Sequence, residues 1–302
     1  MADFGIQGTP GGSGETRDWV PRLRDILDPL PPVFTTFWAG DHFQEKGRAW
    51  PEGWTRLAYL AAACPRFRVG HLVLAQGFRN PGLLGAMAAN LQLLSGGRFI
   101  LGLGAGWLEE EYRSYNIDFP GAGTRVAQLA EVIELIRALW SGEPTTWHGE
   151  FHHLDAAVCE RPDPPIPILV GTNGPKALRV VARHADWWNW DGPWDMTYRE
   201  PYERLEAACA EIGRPFEEIT LTASLAISMP DDPATFVPSF EHDFYPGQRF
   251  GVAGPGAEDV IREIERLVDV GVSHFPLSFD SIAELQRFVD EVVPHVRLER
   301  RA

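Results

Sequence analysis

The dipeptide Asp41-His42 is the first pair of side chains in this 302-residue sequence that could do acid-base chemistry. It directly follows the apolar run VFTTFWAG, which predicts a position at the carboxyl end of a strand. A carboxylate beside an imidazole can fix the tautomer of the ring or raise its affinity for a proton, so His42 is a candidate proton donor. Adjacent strand residues point to opposite faces, so Asp41 need not touch the ring, and a purely structural histidine is the alternative.

The stretch GRFILGLGAGW contains glycines at alternate positions, Gly102, Gly104 and Gly106, directly after a short apolar run. A dinucleotide-binding turn of the pattern Gly-x-Gly-x-x-Gly would need a further glycine at position 107 or 109. Trp107 and Glu109 occupy those positions, which argues against a Rossmann fingerprint. Alternate glycines instead leave a strand end without bulk, against which a flat ring could lie with Trp107 as a wall. Tight barrel packing is the alternative interpretation.

A second glycine turn, Gly171-Thr172-Asn173-Gly174, follows the apolar segment ILV. Pro175 stands where the first residue of a helix would be, and Lys176 follows it. Free N–H groups at a helix start, with a cation beside them, predict an anion site whose natural ligand is phosphate. An ordinary loop before a capped helix would show the same pattern.

Charge and composition argue against several kinds of partner. The formal net charge is −15, from 27 Lys+Arg and 42 Asp+Glu, and no basic stripe with interleaved aromatic residues occurs. Binding to nucleic acid or to an anionic membrane is therefore disfavoured. The sequence contains neither an 18-residue apolar window nor a signal-peptide pattern, which predicts a soluble protein that is not exported.

The pattern of histidines and cysteines predicts no metal site. The early strands carry no His-x-His pair, and His152-His153 lies in a predicted loop. The three cysteines, Cys64, Cys159 and Cys209, are far apart and form no Cys-x-x-Cys pair. Buried, reduced thiols are therefore expected, which fits a cytoplasmic location.

Short apolar runs alternate with amphipathic helical patterns along almost the whole chain. The predicted strands are Phe4–Gln7, Val33–Ala39, Arg68–Leu74, Phe99–Leu103, Ile166–Val170, Trp187–Trp190, Ile219–Ile227 and His274–Leu277. The predicted helices are Leu57–Ala63, Gly82–Leu94, Thr124–Trp140, Pro175–His184, Arg199–Ile212 and Glu258–Val270. In the helix 124–140 an apolar stripe runs from Val126 to Trp140, and Glu131 is displaced from it, toward the polar side.

Strands that are apolar on both faces, each followed by a one-sided helix, need a parallel sheet covered by helices. Eight such units in about 300 residues predict an α/β fold of the (β/α)8 TIM barrel type, with the open doubly wound sheet as its rival. No linker divides the chain, so residues 1–302 are expected to form a single domain. Segments 142–165 and 230–256 are predicted to be loop insertions, and the second is long enough to act as a lid.

Taken together, these stretches resemble the bacterial luciferase-like monooxygenase family, in particular its branch that uses the deazaflavin coenzyme F420. The match includes DFGIQ, the Gly40-Asp41-His42 strand end, FRNP, SGGR, LGLGAGW, the block PPIPILVGTNGPKALRVVARHADWWN and GVSHFPLSF. Any one of these motifs is unspecific, but their combination covers nearly the whole chain. The resemblance implies a (β/α)8 barrel that binds F420 or FMN at its C-terminal mouth.

The resemblance also implies roles for individual residues. Asp41 and His42 would border the deazaflavin, with His42 as the proton donor. The third strand would carry a non-proline cis peptide at about Leu72-Val73, beneath the ring, and Leu74 and Ala75 continue that segment. The remaining cofactor-binding residues would be Gly104, Ala105, Gly106 and Trp107 along the ring, and Gly171, Thr172, Asn173, Gly174 and Lys176 around the phosphate. An apolar substrate pocket would be formed by Trp107, Trp190 and Trp194.

Two positions differ from the pattern of one branch of the family, and a third distinguishes its F420 enzymes from its FMN enzymes. Trp107 stands where sugar-phosphate dehydrogenases of the family have a glutamate, which argues against that activity. Those enzymes also have a tryptophan shortly after the Asp-His pair, where this chain has Phe43-Gln44-Glu45. FMN monooxygenases often have an aromatic residue at the position of Val126, so the valine favours F420.

The sequence therefore predicts an oxidoreductase that passes a hydride between F420 and a small organic substrate. The nearest alternative is an FMN-dependent monooxygenase on the same scaffold. An alternative of another class is a non-catalytic barrel that binds flavin without turnover. A homodimer is expected by similarity, with an interface that the sequence does not locate.

Overall fold

A computed structural model describes residues 1–9, 19–45, 48–241 and 249–300 of the chain. Eight parallel strands form its central sheet. They are β1 (Asp3–Gln7), β2 (Phe34–Ala39), β3 (Arg68–His71), β4 (Phe99–Gly104), β5 (Ile168–Gly171), β6 (Trp187–Asp191), β7 (Thr220–Ile227) and β8 (Val272–Phe279). Each pairs with the next, and β1 pairs with β8 in the register Phe4↔Phe275, which closes the sheet. The predicted (β/α)8 barrel is confirmed, and the open doubly wound alternative is wrong.

Helices cover the outside of the barrel. They are α1 (Trp19–Leu27), α2 (Gly53–Ala63), α3 (Pro81–Leu94), α4 (Glu109–Ser114), α5 (Ala122–Leu139), α6 (Pro175–His184), α7 (Arg199–Ile212), α8 (Ala257–Asp269) and α9 (Ile282–Glu291). All six predicted helices are present, the first of them starting four residues earlier than expected. The sequence prediction missed α1, α4 and α9, and α4 is only six residues long, too short for a periodic pattern to emerge.

Local signals start and end several of these helices. Asn80 caps α3 by accepting the N–H of Leu83 at 3.1 Å, and Pro81 follows it with a backbone angle already suited to a helix. Gly213 ends α7 in the left-handed region at φ 69°, which glycine adopts without a steric penalty. The cap at Asn80 therefore fixes where the βα loop before α3 ends, and the cap at Gly213 fixes where the connection from α7 to β7 begins.

A tryptophan spans the inside of the barrel. The indole Nε1 of Trp38 donates to Nε2 of His274 at 2.8 Å. A β-carbon at Gly5 or Gly70 would come within 2.6 or 2.4 Å of that indole, so glycine at both positions makes room for it. Of the adjacent pair on β6, Trp187 packs on Trp38 inside and Trp188 joins the core under the helices, as strand alternation predicts.

Both predicted insertions contain strands, which corrects their interpretation as loops. In the first, the segment Thr145–His148 pairs antiparallel with the segment His153–Ala157. In the second, Ser239–Glu241 pairs with Arg249–Ala253, and the latter extends the sheet beside β7. Residues 242–248 of the predicted lid lie outside the described part of the chain.

Glu131 was predicted to lie on the polar side of α5, and the structure shows it buried instead. Its carboxylate is buried and accepts the backbone N–H groups of Glu150, Phe151 and His152, at 2.7 to 3.1 Å. These hydrogen bonds outweigh desolvation, which acts to raise the pKa of Glu131, and hold it below its usual value. The residue therefore anchors the first insertion to the barrel.

The expected state of the cysteines agrees with the structure. Cys64, Cys159 and Cys209 are buried and unpaired, and burial raises the pKa of each thiol. Within the described ranges, every helix is too short or too polar to cross a membrane.

Candidate active site

A cavity of about 850 Å³ opens at the carboxyl ends of the barrel strands. This is the end at which TIM barrels bind their ligands, because the βα loops converge there. Most residues predicted for the site line it. They are Asp41, His42, Leu72, Val73, Ala75, Gly104, Ala105, Gly106, Trp107, Gly171, Thr172, Asn173, Gly174, Lys176 and Trp190.

Two predicted site residues lie elsewhere. Leu74 is fully buried in the outer core, because its side chain points away from the mouth while its neighbours Val73 and Ala75 line the cavity. Trp194 is also buried and packs edge to face on Tyr202 at a centroid distance of 5.1 Å. The turn at Gly192 leads the chain outward to α7, so Trp194 is a core residue and the prediction that it lines the substrate pocket is wrong.

His42 is held by an acid that the sequence analysis did not select. Its Nδ1 lies 2.8 Å from Oε2 of Glu111 on α4, and its ring makes an edge contact with Trp107 at 5.6 Å. Oε1 of Glu111 accepts the backbone N–H groups of Phe43 and Gln44 at 2.6 and 3.0 Å. Glu111 thus orients the ring and shapes the loop that follows it.

The charge state of Glu111 determines the tautomer of His42. Burial acts to raise the pKa of Glu111, but the hydrogen bonds from His42 and the loop N–H groups outweigh it and lower the pKa. An ionised carboxylate can only accept hydrogen bonds, so Nδ1 of His42 carries a hydrogen. The other ring nitrogen, Nε2, is left to hold or take up a proton at the cavity.

Asp41 does not contact His42 and has a structural role. Its carboxylate accepts hydrogen bonds from both terminal nitrogens of Arg79, at 2.8 and 2.9 Å, and from the backbone N–H of Ala75 at 3.1 Å. This fork geometry ties the end of β2 to the segment that follows β3. The hypothesis that Asp41 tunes the ring of His42 is therefore wrong, because the two side chains diverge from adjacent positions.

Val73 projects into the mouth between two glycines. A β-carbon at Gly104 or Gly171 would come within 2.6 or 2.8 Å of its methyl groups, and the Leu72-Val73 peptide is cis, as the resemblance implied. At Gly106, with φ at 80°, a β-carbon would collide with the Tyr112 hydroxyl. The alternate glycines therefore make room for neighbouring protein atoms, as the packing interpretation held, while Gly104 and Gly106 also line the cavity.

Two helix N-termini converge on one side of the cavity. Gly174 is the N-cap residue of α6 and Gly121 is that of α5, and in neither case does a side chain cap the helix. Lys176 and Arg125 stand in the first turns of these helices and line the cavity. Uncapped N–H groups and two cations form a site suited to an anion. The sequence predicted the turn at residues 171–174 with Lys176, and the structure adds the N-terminus of α5 and Arg125 to it.

Sequence reasoning missed three acidic or basic residues that line the cavity: Glu111, Arg125 and Asp191. Arg125 donates to the carbonyls of Gly106 and Pro120. Asp191 ends β6, and burial raises its pKa to about 6. The position of Asp191 at a strand end was a usable signal, whereas the role of Glu111 depends on the fold of α4.

Comparisons with known proteins agree with this architecture. The family model described as luciferase-like monooxygenase matches residues 33–274. An F420-dependent glucose-6-phosphate dehydrogenase of Kineococcus radiotolerans is 35% identical over 65% of this chain, and the aligned part spans 60% of that enzyme's length. An enzyme of the same description from Beutenbergia cavernae is 27% identical over 89% of this chain and 90% of its own.

The solved structure of an F420-dependent secondary alcohol dehydrogenase in complex with an F420-acetone adduct has the same fold. Its TM-score is 0.77 at 20% identity, over 98% of this chain and 99% of the other. The matched family model covers the barrel from β2 to the start of β8. The chain belongs to the luciferase-like monooxygenase family.

Proposed function

We propose that this protein is an oxidoreductase that uses coenzyme F420 and transfers a hydride between the deazaflavin and a small organic substrate. The observation that carries the proposal is that one cavity is lined by the projecting side chain of Val73, by His42, which Glu111 orients, and by the uncapped N-termini of α5 and α6. Relatives named as F420-dependent dehydrogenases support the choice of cofactor.

The residues of the cavity fit such a cofactor. Its volume of about 850 Å³ lies in the range of small-molecule sites. The Val73 side chain, with the glycine backbone at Gly104 and Gly171 on either side, offers a surface on which a flat ring could lie. The N-termini of α5 and α6, with Arg125 and Lys176, would hold an anionic tail. Bound F420 would supply a two-electron hydride carrier.

The protein's own contribution is to position groups and exclude water. Glu111 fixes the ring of His42, so that Nε2 can hold or accept the proton that accompanies hydride transfer. Trp107 and Trp190 line the cavity with aromatic surface, and Trp190 is itself held by a hydrogen bond from its Nε1 to the carbonyl of Thr197 at 3.1 Å. A substrate between these walls would be shielded from bulk water.

A fluorescence titration of the purified protein with oxidised and reduced F420, and in parallel with FMN, tests the proposal. We expect F420 to bind at micromolar concentration or below. Gly174→Asp should weaken binding at least about tenfold, roughly 1.4 kcal/mol, because its carboxylate would occupy the helix N-terminus. Gly174→Ala is the matched control, because a β-carbon there meets open space. Failure of F420 to bind, or preferential binding of FMN, would overturn the proposal.

We further propose a single domain with a lid over residues 230–256, a cytoplasmic location and a homodimer. Three buried, unpaired thiols support a reducing compartment. Leu83, Leu93 and Leu94 of α3 are exposed, and apolar side chains on one helix support an interface there. Sedimentation of the wild type and of Leu94→Lys tests the dimer, because a charge at the interface should shift the protein to the monomer.

A further inference from the structure

Asp191 is an acid at the cavity that no cation neutralises among the described residues. It ends β6, and its backbone carbonyl accepts the hydroxyl of Thr197 at 2.6 Å. Gly192, at φ 92°, then turns the chain away from the mouth. The side chain is partly buried and lines the cavity, and its carboxyl group bonds the hydroxyl of Ser224 on β7. Its position is therefore fixed by both neighbouring segments.

The other acids at the cavity are already occupied. Asp41 is bound by Arg79, and Glu111 is bound by His42 and two backbone N–H groups. A hydroxyl group has a single hydrogen, so Ser224 uses only part of the acceptor capacity of Asp191. The carboxyl group of Asp191 is thus a polar group at the mouth with acceptor capacity to spare.

A neighbouring amide does not compete for the same ligand. Oδ1 of Asn189 accepts the hydroxyl of Thr222 at 2.6 Å, and its Nδ2 donates to Oγ of Ser224 at 3.1 Å. Oγ of Ser224 in turn lies 3.2 Å from Oδ1 of Asn189, to which its hydroxyl can donate. Thr222 and Ser224 thus occupy the amide of Asn189, whereas Asp191 lines the cavity with acceptor capacity left for a ligand.

The two cations of the cavity lie on other elements. Lys176 and Arg125 stand on α6 and α5, where the proposed cofactor tail would be held. A phosphate placed beside Asp191 would face a carboxylate, and like charges at close range are unfavourable. Trp107 and Trp190 also line the cavity, and their aromatic surface favours an apolar ligand body.

We propose that Asp191 binds a hydroxyl or amino group of the substrate, and that this substrate is a neutral or cationic molecule with an apolar body and not a sugar phosphate. The inference deepens the proposed function and rests on it, because the cofactor tail is taken to use the cations of α5 and α6. It differs from the activity named for the curated relatives, whose substrate is glucose 6-phosphate.

Three probes with the same ring test the inference: cyclohexanol, cyclohexylamine and cyclohexyl phosphate. The 13C resonance of the Asp191 carboxyl group, assigned by its absence in Asp191→Asn, reports contact with each probe, with and without F420. We expect the alcohol and the amine to shift this resonance and the phosphate not to. In Asp191→Asn the affinity for the amine, measured by calorimetry, should fall at least about tenfold. Asp195→Asn, four residues along and exposed, should bind the amine like the wild type.

The possible outcomes separate the substrate site from the cofactor. A shift by cyclohexyl phosphate equal to that by the amine, an amine affinity unchanged in Asp191→Asn, or binding of none of the three probes would overturn the inference. Amine binding that depends on Asp191 in a protein that does not bind F420 would support the substrate site and refute the proposed cofactor. Binding of F420 with no effect of Asp191→Asn on the amine would refute the substrate site alone.

Discussion

Nδ1 of His42 lies 2.8 Å from Oε2 of Glu111, which connects the end of β2 to α4 across the mouth of the barrel. The glutamate belongs to the acidic run at 109 to 111, which directly follows the glycine turn in sequence. Glu109 and Glu110 are exposed, whereas Glu111 is buried against the loop that contains His42. One residue of the run is thereby part of the site.

Glu111→Gln should change the tautomer of His42. The single oxygen of the new amide cannot serve both the loop N–H groups and Nδ1, so the NH2 group would face the ring and Nδ1 would become an acceptor. We expect 15N NMR to show the hydrogen moved to Nε2, together with a loss of about 1–3 kcal/mol in the free energy of unfolding. Glu110→Gln, on the exposed neighbour, is the control. An unchanged tautomer would contradict the assigned role.

Gly104 and Val73 should be energetically coupled. Gly104→Ala places a β-carbon within 2.6 Å of a Val73 methyl group, and we expect this to lower the free energy of unfolding by about 1–3 kcal/mol. Adding Val73→Ala should restore part of the loss, which a double-mutant cycle by urea denaturation measures. Gly174→Ala, into open space, should have little effect. Additive losses would show that the two residues do not share this space.

Glu131 should stabilise the protein in a pH-dependent way. Its pKa is lowered in the folded state, so its contribution is complete above the ordinary carboxyl value of about 4.5 and is lost as the pH falls through the lower folded value. We expect Glu131→Gln to reduce the free energy of unfolding by about 1–3 kcal/mol at pH 7, with a smaller difference near pH 4. Glu134→Gln, exposed on the same helix, should show no such loss. Urea denaturation at both pH values decides.

Asp191 should have the opposite effect on stability. Its folded pKa of about 6 lies above the ordinary value of 3.8, so the folded protein binds the proton more tightly than the unfolded chain. The contribution of Asp191 to the free energy of unfolding therefore falls as the pH rises from 3.8 to about 6, and the protein is destabilised by the full amount above that range. Asp191→Asn should therefore be more stable than the wild type by about 1–3 kcal/mol at pH 8 and approach it near pH 4. Equal differences at the two pH values would contradict the shifted pKa.

Much of the fold was predictable from local patterns. Eight short apolar strands and six one-sided helices were recognisable from the sequence, so the barrel follows from patterns that each segment carries by itself. The glycine turns were placed at the mouth because the carboxyl ends of parallel strands must meet at one end of a barrel, whereas Val73 was placed there by the family resemblance. Leu74 and Trp194 were misplaced because the choice of face and the path of a turn depend on packing.

By itself, the sequence determined which residues stand at the strand ends: His42, Val73, Gly104 and Gly171 line the cavity because chain order and strand length put them there. Only the tertiary structure decided the partners. Asp41 binds Arg79 and not the histidine, and the partner of His42 is Glu111, which lies 69 residues further along the chain. Hydrogen bonds between side chains distant in sequence depend on the packing of whole elements, which no local pattern of residues records.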